Sequence, residues 1–562
     1  MKKPLLSELT LSEKIGQMLL PYQYTVNTDQ DPITKKLTPK SRDARNALIR
    51  AEKYGSYWAQ TGLANRGIDV TLRSSTKAEA PEEYGAFLQG ESDAYWIPAL
   101  TALDAEEDGI GPLFDQLTTT CCPNAQGAAN DEQLSYELAA AVARELRCAG
   151  CTWRWAPYVD VANRFTMGVM RRIAPDDVDR NIRLALAQIK GTQSEGVAAT
   201  AKHFPGGDEH EYRDSHFCAT MIRSTKEEWA AEQGRIFQAM IDGGVYSIMI
   251  THKSFPAVDN SKINGRFRPS TISKKIITDL LKGEMGFQGV VITDGIVMAS
   301  LFTLMPYEQL LVELVNAGND VLLGVPQNGS GKIIEQAVLD GRISEERIND
   351  ACQRVLDMKE KLGMFEDGYR LVKYTAAETA PITRKINLQI ARKAIDLIRD
   401  RNQQLPMDAT KVKNVAIICS THADHFVDEL DVLVKELENR GIRVHFQRRL
   451  TSQAELHNIA EENDLILYAV WIGPHEPMGG MSLYGDECRS YLWAFSEGKE
   501  KSIGVSFGYP YVHYDLMENA DMFINTYGQS PALMKVLVEA IFGETPFLAQ
   551  TPIRLEPSLR KW

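Results

Sequence analysis

VAATAKHFPGG, residues 197–207, is the stretch that decides the fold. Its first five residues are apolar or small with no polar alternation, the pattern of a strand buried on both faces. The chain then turns polar at once, with Lys202 and His203 ahead of Phe204-Pro205-Gly206. GFQGVVITDG at 286–295 repeats the design, a buried run Gly289–Thr293 ending on Asp294-Gly295. Working outward, similar runs occur at Ser56–Gln60, Ile97–Leu103, Thr152–Val161, Tyr246–His252 and Asp320–Val325. Helical periodicity fills the gaps, as in Asp179–Gln193, Lys226–Asp242, Ser273–Lys282 and Pro306–Ala317. Seven strands alternating with helices predict an α/β fold, a (β/α)8-type TIM barrel with one strand unrecognised.

A second pattern follows. Glu366–Thr383 has the composition of a linker, then come a helix over Arg384–Arg399 and a loop, QQLPM. Strands are expected at Val415–Cys419, Arg443–Phe446, Leu465–Trp471, Ser502–Ser506 and Met522–Asn525. They describe a smaller α/β sandwich of about five parallel strands. The expected organisation is a barrel domain over residues 1–370, a linker over 371–390 and a sandwich domain over 391–562. A chain of 562 residues needs at least two cores.

The net charge of −13 argues against nucleic-acid binding, which requires a basic face. No apolar run approaches the ~20 residues of a membrane span. The N-terminal MKKPLLSELTLSEKIGQMLL reads as one amphipathic helix and not as a secretory signal, so a cytoplasmic location is expected. Eight cysteines are too few for a disulfide scaffold. Cys148 and Cys151 form a CxxC without a second half, so they read as reduced thiols near the barrel wall. No metal or organic cofactor is expected, because the histidines lack ligand spacing.

In such a barrel the site lies at the C-terminal strand ends. Asp104 follows Leu100–Leu103, and Lys202 and His203 end the central strand. His252 follows Tyr246–Thr251, Asp294 ends Gly289–Thr293, and Arg171 and Arg172 come after Val161. One such residue is an ordinary cap or ion-pair member; five strands doing it together are a site. A carboxylate held ionised by neighbouring cations is a nucleophile. The long loop after Gly206 carries Asp214-Ser215-His216, a dyad in which the carboxylate orients the imidazole for acid/base work, with His210 as an alternative.

KHFPG at 202–206, DSH at 214–216 and GFQGVVITDGIVM at 286–298 together resemble glycoside hydrolase family 3, close to its β-N-acetylhexosaminidase branch. LSEKIGQMLL at 11–20, RPSTISKKIITDLLKGEMGF at 268–287 and ARKAIDLIRDRNQQLPM at 391–407 extend the resemblance over nearly the whole chain. It implies a retaining exo-β-glycosidase, first of all a β-N-acetylglucosaminidase acting on small glycosides. Asp294 would be the nucleophile, and His216 paired with Asp214 the acid/base. Asp104, Arg172, Lys202, His203 and His252 would bind sugar. The family's KHFPGHG here continues with Gly207 and Asp208, and its D-x-E-G-G is DAEEDG at 104–109.

Other readings stay open. In the β-glucosidase branch the acid/base is a glutamate of the second domain, and WIGPHEPMGGMSLYGDE at 471–487 offers Glu476, with His475 and Glu487 beside it. That loop is either a solvent-exposed connection or an aglycone wall, closed within the chain or across a homodimer. Phosphate could replace water as acceptor, giving a phosphorylase. A Lys202 Schiff-base enzyme and a non-catalytic sugar-binding protein are the remaining alternatives.

Overall fold

The computed structural model describes residues 2–22, 26, 28–30, 37–59, 80–106, 108–161, 175–208, 211, 213–325, 329–472 and 483–555. The chain divides into two compact units. The first takes Met1–Thr118, Tyr136–Val161 and Ala185–Thr383; the second takes Thr119–Ser135, Ala162–Leu184 and Arg384–Trp562.

The first unit is built on a curled parallel sheet. Its strands are β1 (Leu19–Pro21), β2 (Ser56–Trp58), β3 (Leu100–Leu103), β4 (Trp153–Arg154), β5 (Ala198–Phe204), β6 (Ser247–Ile250), β7 (Val290–Thr293) and β8 (Leu322–Val325). Strands β2 to β7 hydrogen-bond in sequence order, and β1 pairs in parallel with β8, Leu19 opposite Leu322. Isolated parallel bridges, Tyr22 to Trp58 and Ile292 to Val321, carry the pairing on through all eight.

Strand β1 is the one the sequence reading missed, and it corrects the single N-terminal helix. Thr10 and Glu13 form a capping box that starts α1 (Leu11–Gln17). Pro21 then pushes the residue before it out of the helical region, and Leu19 and Leu20 bury completely. The strand expected over Thr152–Val161 shrinks to two residues because Pro157 has no N–H to donate. Beyond it, Tyr158 makes only an isolated bridge to Lys202.

Outside the sheet, Ile15, Leu19, Leu311, Leu314, Leu322 and Ile348 form an apolar layer between strands and helices. Inside it, the Trp153 indole N–H reaches both Thr200 Oγ1 and Ser247 Oγ at 2.9 Å. That contact fixes which residues of β4, β5 and β6 point inward: Trp153, Thr200 and Ser247, with Trp155 and Lys202 one step nearer the C-terminal mouth.

The second unit holds a six-stranded sheet: β9 (Asp396–Asp400), β10 (Asn414–Ser420), β11 (Arg443–Arg448), β12 (Leu465–Val470), β13 (Ser502–Ser506) and β14 (Met522–Asn525), in the order β9-β14-β13-β12-β10-β11. Five strands are parallel, as expected, and β9 adds an antiparallel edge on β14. The helix expected over Arg384–Arg399 covers all but the last residue of β9. The helix, α2, instead runs Ala376–Ala394, so most of the expected 371–390 linker is helical. Its start was legible: Glu378 accepts both the N–H and the hydroxyl of Thr375, a T-x-x-E cap.

All eight cysteines are free. Cys148 Sγ lies 3.4 Å from Thr379 Oγ1, and burial pushes the Cys148 and Cys151 thiols up to about 12. Among the described residues no three His, Cys, Asp or Glu side chains gather to hold a metal, and no helix is long and apolar enough to cross a membrane.

Candidate active site

Strand β5 delivers two adjacent functional groups. Lys202 is buried, and its Nζ lies 2.8 Å from Asp104 Oδ1 and 2.6 Å from Glu106 Oε2. Asp104 stands just past the end of β3, so one lysine ties the mouths of two strands together. Arg154 is buried behind Glu106, its Nε donating to the Ala105 carbonyl at 2.9 Å. Burial pulls that guanidinium down to about 10 against the opposing pull of Glu106.

His203 sits between two carboxylates. Its backbone N–H donates to Asp160 Oδ1 at 2.8 Å, and its Nδ1 faces Asp160 Oδ2 at 3.3 Å. Its Nε2 lies 3.9 Å from Asp294 Oδ2. Asp160 is itself buried; burial works to raise its carboxyl, but His203 and Lys253 bring it below the usual range.

Asp294 follows β7 directly. Its N–H donates to the Ile250 carbonyl at 3.0 Å, and Oδ1 accepts the Gly295 N–H at 2.7 Å. Burial would raise this carboxyl, yet the attraction of His203, then His252 and His216, takes it down to about 2. The group is therefore a carboxylate at any working pH, while 20% of its side chain is still reachable from solvent. An ionised, partly open carboxylate ringed by imidazoles is chemically a nucleophile or a cation stabiliser.

His216 arrives on the loop after β5. Its Nδ1 lies 2.7 Å from Asp214 Oδ1, which also accepts the His216 backbone N–H at 2.8 Å. Asp214 is buried, whereas the imidazole is 51% exposed. The loop is pinned on both sides of the pair. Asp208 accepts the Arg223 N–H, and Glu211 takes the Arg213 guanidinium at 2.6 Å and the Met221 N–H at 3.1 Å. The His216 carbonyl accepts the Ala299 N–H at 2.9 Å, which joins the loop to the turn that follows Asp294.

His252 is buried with both ring nitrogens engaged, Nδ1 3.0 Å from Thr271 Oγ1 and Nε2 2.9 Å from the Gly295 carbonyl. Burial lowers its pKa, and through the Gly295 carbonyl the ring holds the Asp294–Gly295 turn. The sequence reading had assigned it to sugar.

Asp104, Lys202, His203, Asp214, His216, His252 and Asp294 thus all lie at the C-terminal strand ends. Arg171, Arg172, His210, His475 and Glu476 lie outside the described residues. Glu487 is described: in the second unit it is buried, 3.3 Å from both the Thr421 N–H and Arg449 Nη1. Glu106, Asp160, Arg154 and Thr271 were missed. Asp160 was findable, since it closes the run Thr152–Val161 as Asp104 closes its own; Glu106 was visible in DAEEDG but read only as added charge.

Residues 10–358 match the glycosyl hydrolase family 3 N-terminal domain. The chain is 25% identical to a beta-N-acetylglucosaminidase/beta-glucosidase of Cellulomonas fimi, over 91% of its own length and 98% of that protein. It is 25% identical to the beta-hexosaminidase A of Pseudoalteromonas piscicida, over 70% of this chain and 68% of the relative. Among solved structures, a beta-glucoside phosphorylase, BglX, superposes with a TM-score of 0.81 at 24% identity, over 99% of this chain and 95% of that one. A glycoside hydrolase family 3 beta-N-acetylglucosaminidase from Paenibacillus sp. str. FPU-7 superposes with a TM-score of 0.78 at 23% identity, over 98% and 100%. At those identities the two structures speak for the fold.

Proposed function

Because the chain belongs to glycosyl hydrolase family 3 and is a glycoside hydrolase, we propose that it is a retaining exo-β-glycosidase that releases terminal β-linked N-acetylglucosamine. In this reading Asp294 attacks the anomeric carbon and forms a glycosyl ester. The His216 Nε2–H gives its proton to the leaving oxygen. Asp214 accepts the Nδ1–H, keeps the ring in the reactive tautomer and stabilises the charge on the imidazole after it is reprotonated. The neutral imidazole next takes a proton from water, which opens the ester, and two inversions give net retention. Lys202, with Asp104, grips sugar hydroxyls, and His203 steadies the nucleophile.

The Asp214–His216 pair carries this reading. A buried carboxylate on one ring nitrogen and a half-exposed ring supply a proton donor on the solvent side of the site. The usual scheme uses a second carboxylic acid. The test is p-nitrophenol release from the β-N-acetylglucosaminide and the β-glucoside by the wild type, D294A and H216A. Turnover of the N-acetylglucosaminide that D294A abolishes, and that H216A reduces far more on an alkyl glycoside than on the p-nitrophenyl one, supports the reading; turnover of an alkyl β-glucoside by H216A at the wild-type rate moves the acid/base to another residue, Glu476 first.

The same pair favours one second reading. A neutral imidazole does not repel an anionic acceptor as a carboxylate would, so phosphate can take the place of water. Added phosphate that accelerates turnover and yields a sugar 1-phosphate would make the enzyme a phosphorylase.

A further inference from the structure

The mouth of the first unit has a charged part and an aromatic part. His203 Nε2 faces Asp294 at 3.9 Å, and Lys202 reaches Asp104 at 2.8 Å. Those four form the charged part. On the other side, a Cβ built on Gly295, the residue after Asp294, would stand 3.8 Å from the Tyr22 hydroxyl. The Tyr22 ring stacks on Trp58 with centroids 4.7 Å apart and 28° between planes. Trp58 ends β2 and is paired with Ala102 on β3, two residues before Asp104.

Trp58 is the half-buried member of this aromatic part, whereas Tyr22 and Trp155 are buried. Tyr22 covers one face of the indole, and Trp155 meets it edge-on at 5.2 Å. Trp155 is buried below it, and its own edge contact with Trp153, at 6.3 Å, leads into the interior of the sheet. Tyr22 in turn depends on Gly324 of β8, where a Cβ would come within 2.9 Å of the phenol ring. Two strands, a glycine and two further aromatics thus hold one indole partly open to solvent beside the charged groups. Nothing in the proton transfers or the covalent step uses it.

We propose that Trp58 is the stacking platform for the sugar ring bound at this mouth. A pyranose of gluco configuration has equatorial hydroxyls around its rim and a patch of axial C–H groups on its face. The rim suits Asp104 and Lys202, and the C–H patch suits a rigid indole face. The inference rests on the glycosidase reading and adds a residue that touches substrate without taking part in the chemistry. Because an aromatic face meets a ring of this configuration in the ground state and the transition state alike, Trp58 contributes uniform binding.

The test is a binding titration in the D294A background, which cannot turn substrate over. The probes are p-nitrophenyl β-N-acetylglucosaminide and β-glucoside, followed by calorimetry. Trp58→Ala should weaken binding at least tenfold, and Trp58→Phe should recover part of the loss, with unchanged circular dichroism in both. In the active enzyme Trp58→Ala should raise KM with little change in kcat. Equal affinity in the folded Trp58→Ala protein, or a fall in kcat alone, would overturn the proposal. A D294A parent that binds neither glycoside, with a wild type that cleaves neither, would overturn the glycosidase reading beneath it.

Discussion

His216 Nδ1 lies 2.7 Å from Asp214 Oδ1, the oxygen that also accepts the His216 backbone N–H. One buried carboxylate oxygen therefore sets both the position of the backbone and the tautomer of the ring. Nδ1 carries its proton toward Asp214, so Nε2 is the ring nitrogen that Asp214 does not engage.

Removing either member should slow the step in which the leaving oxygen is protonated. His216→Ala is expected to cost about 10²–10⁴ in kcat/KM on glycosides with poor leaving groups, the usual worth of a positioned acid. On activated aryl glycosides the loss should be much smaller, since they depart without help. Asp214→Asn should behave similarly, because an amide N–H facing Nδ1 favours the wrong tautomer. A series of aryl glycosides of graded leaving-group pKa checks this: the slope should steepen in both variants, and an unchanged slope would remove the pair from the mechanism.

Asp294 titrates at about 2 in the folded protein, so the acid limb of the pH–rate profile belongs to another group. Its folded value lies below the ~3.9 of an unfolded aspartate, so its ionisation adds stability above pH ~4 that is lost as the pH falls toward ~2. That contribution amounts to about 2 kcal/mol. D294N should lack it. Unfolding free energies measured between pH 5 and 2 should fall less steeply for D294N than for the wild type; parallel curves would contradict the assignment.

Lys359 is fully buried, with its Nζ hydrogen-bonded to Gln17 Oε1 at 2.5 Å, and burial lowers it to about 7. The unfolded chain holds this proton up to ~10, so stability contributed here rises with pH between about 7 and 10 and is at its lowest below 7. Lys359→Met should raise the melting temperature at pH 6, with the gain shrinking by pH 9.5. Thermal melts at the two pH values decide the point, and an equal effect at both would contradict it.

Gly16 lies in α1, and a Cβ there would sit 2.3 Å from the Lys53 carbonyl oxygen. Because that neighbour is backbone, α1 and the β1 strand behind it must shift together. Gly16→Ala should destabilise the protein by about 2 kcal/mol, measurable by chemical denaturation. A neutral result would mean that α1 is not packed where β1 needs it.

Much of this was legible in the residues. Ala198–Phe204 and Val290–Thr293 fall within one residue of their expected limits, Val197–His203 and Gly289–Thr293, at every end, because strands buried on both faces leave long apolar runs. Asp104, Lys202, His203 and Asp294 were found from one rule, that a barrel places its chemistry where such runs end. Leu19–Pro21 was not found, since three residues are too few for any period and the preceding helix has the same apolar side chains. Asp396–Asp400 was hidden in the same way behind the helix before it. The role of His252 was also not readable, because it depends on Thr271, nineteen residues on, meeting its ring in space.

In a retaining mechanism Asp294 becomes covalently glycosylated. Intact-protein and peptide mass spectrometry after incubation with a 5-fluoro-β-N-acetylglucosaminyl fluoride tests this; the good leaving group lets the ester form, and the ring fluorine slows its hydrolysis. A single glycosyl adduct should form on the peptide containing Asp294, absent from D294N and lost when an acceptor restores activity. An adduct on another residue, or turnover that inverts the anomeric centre and leaves no adduct, would contradict it.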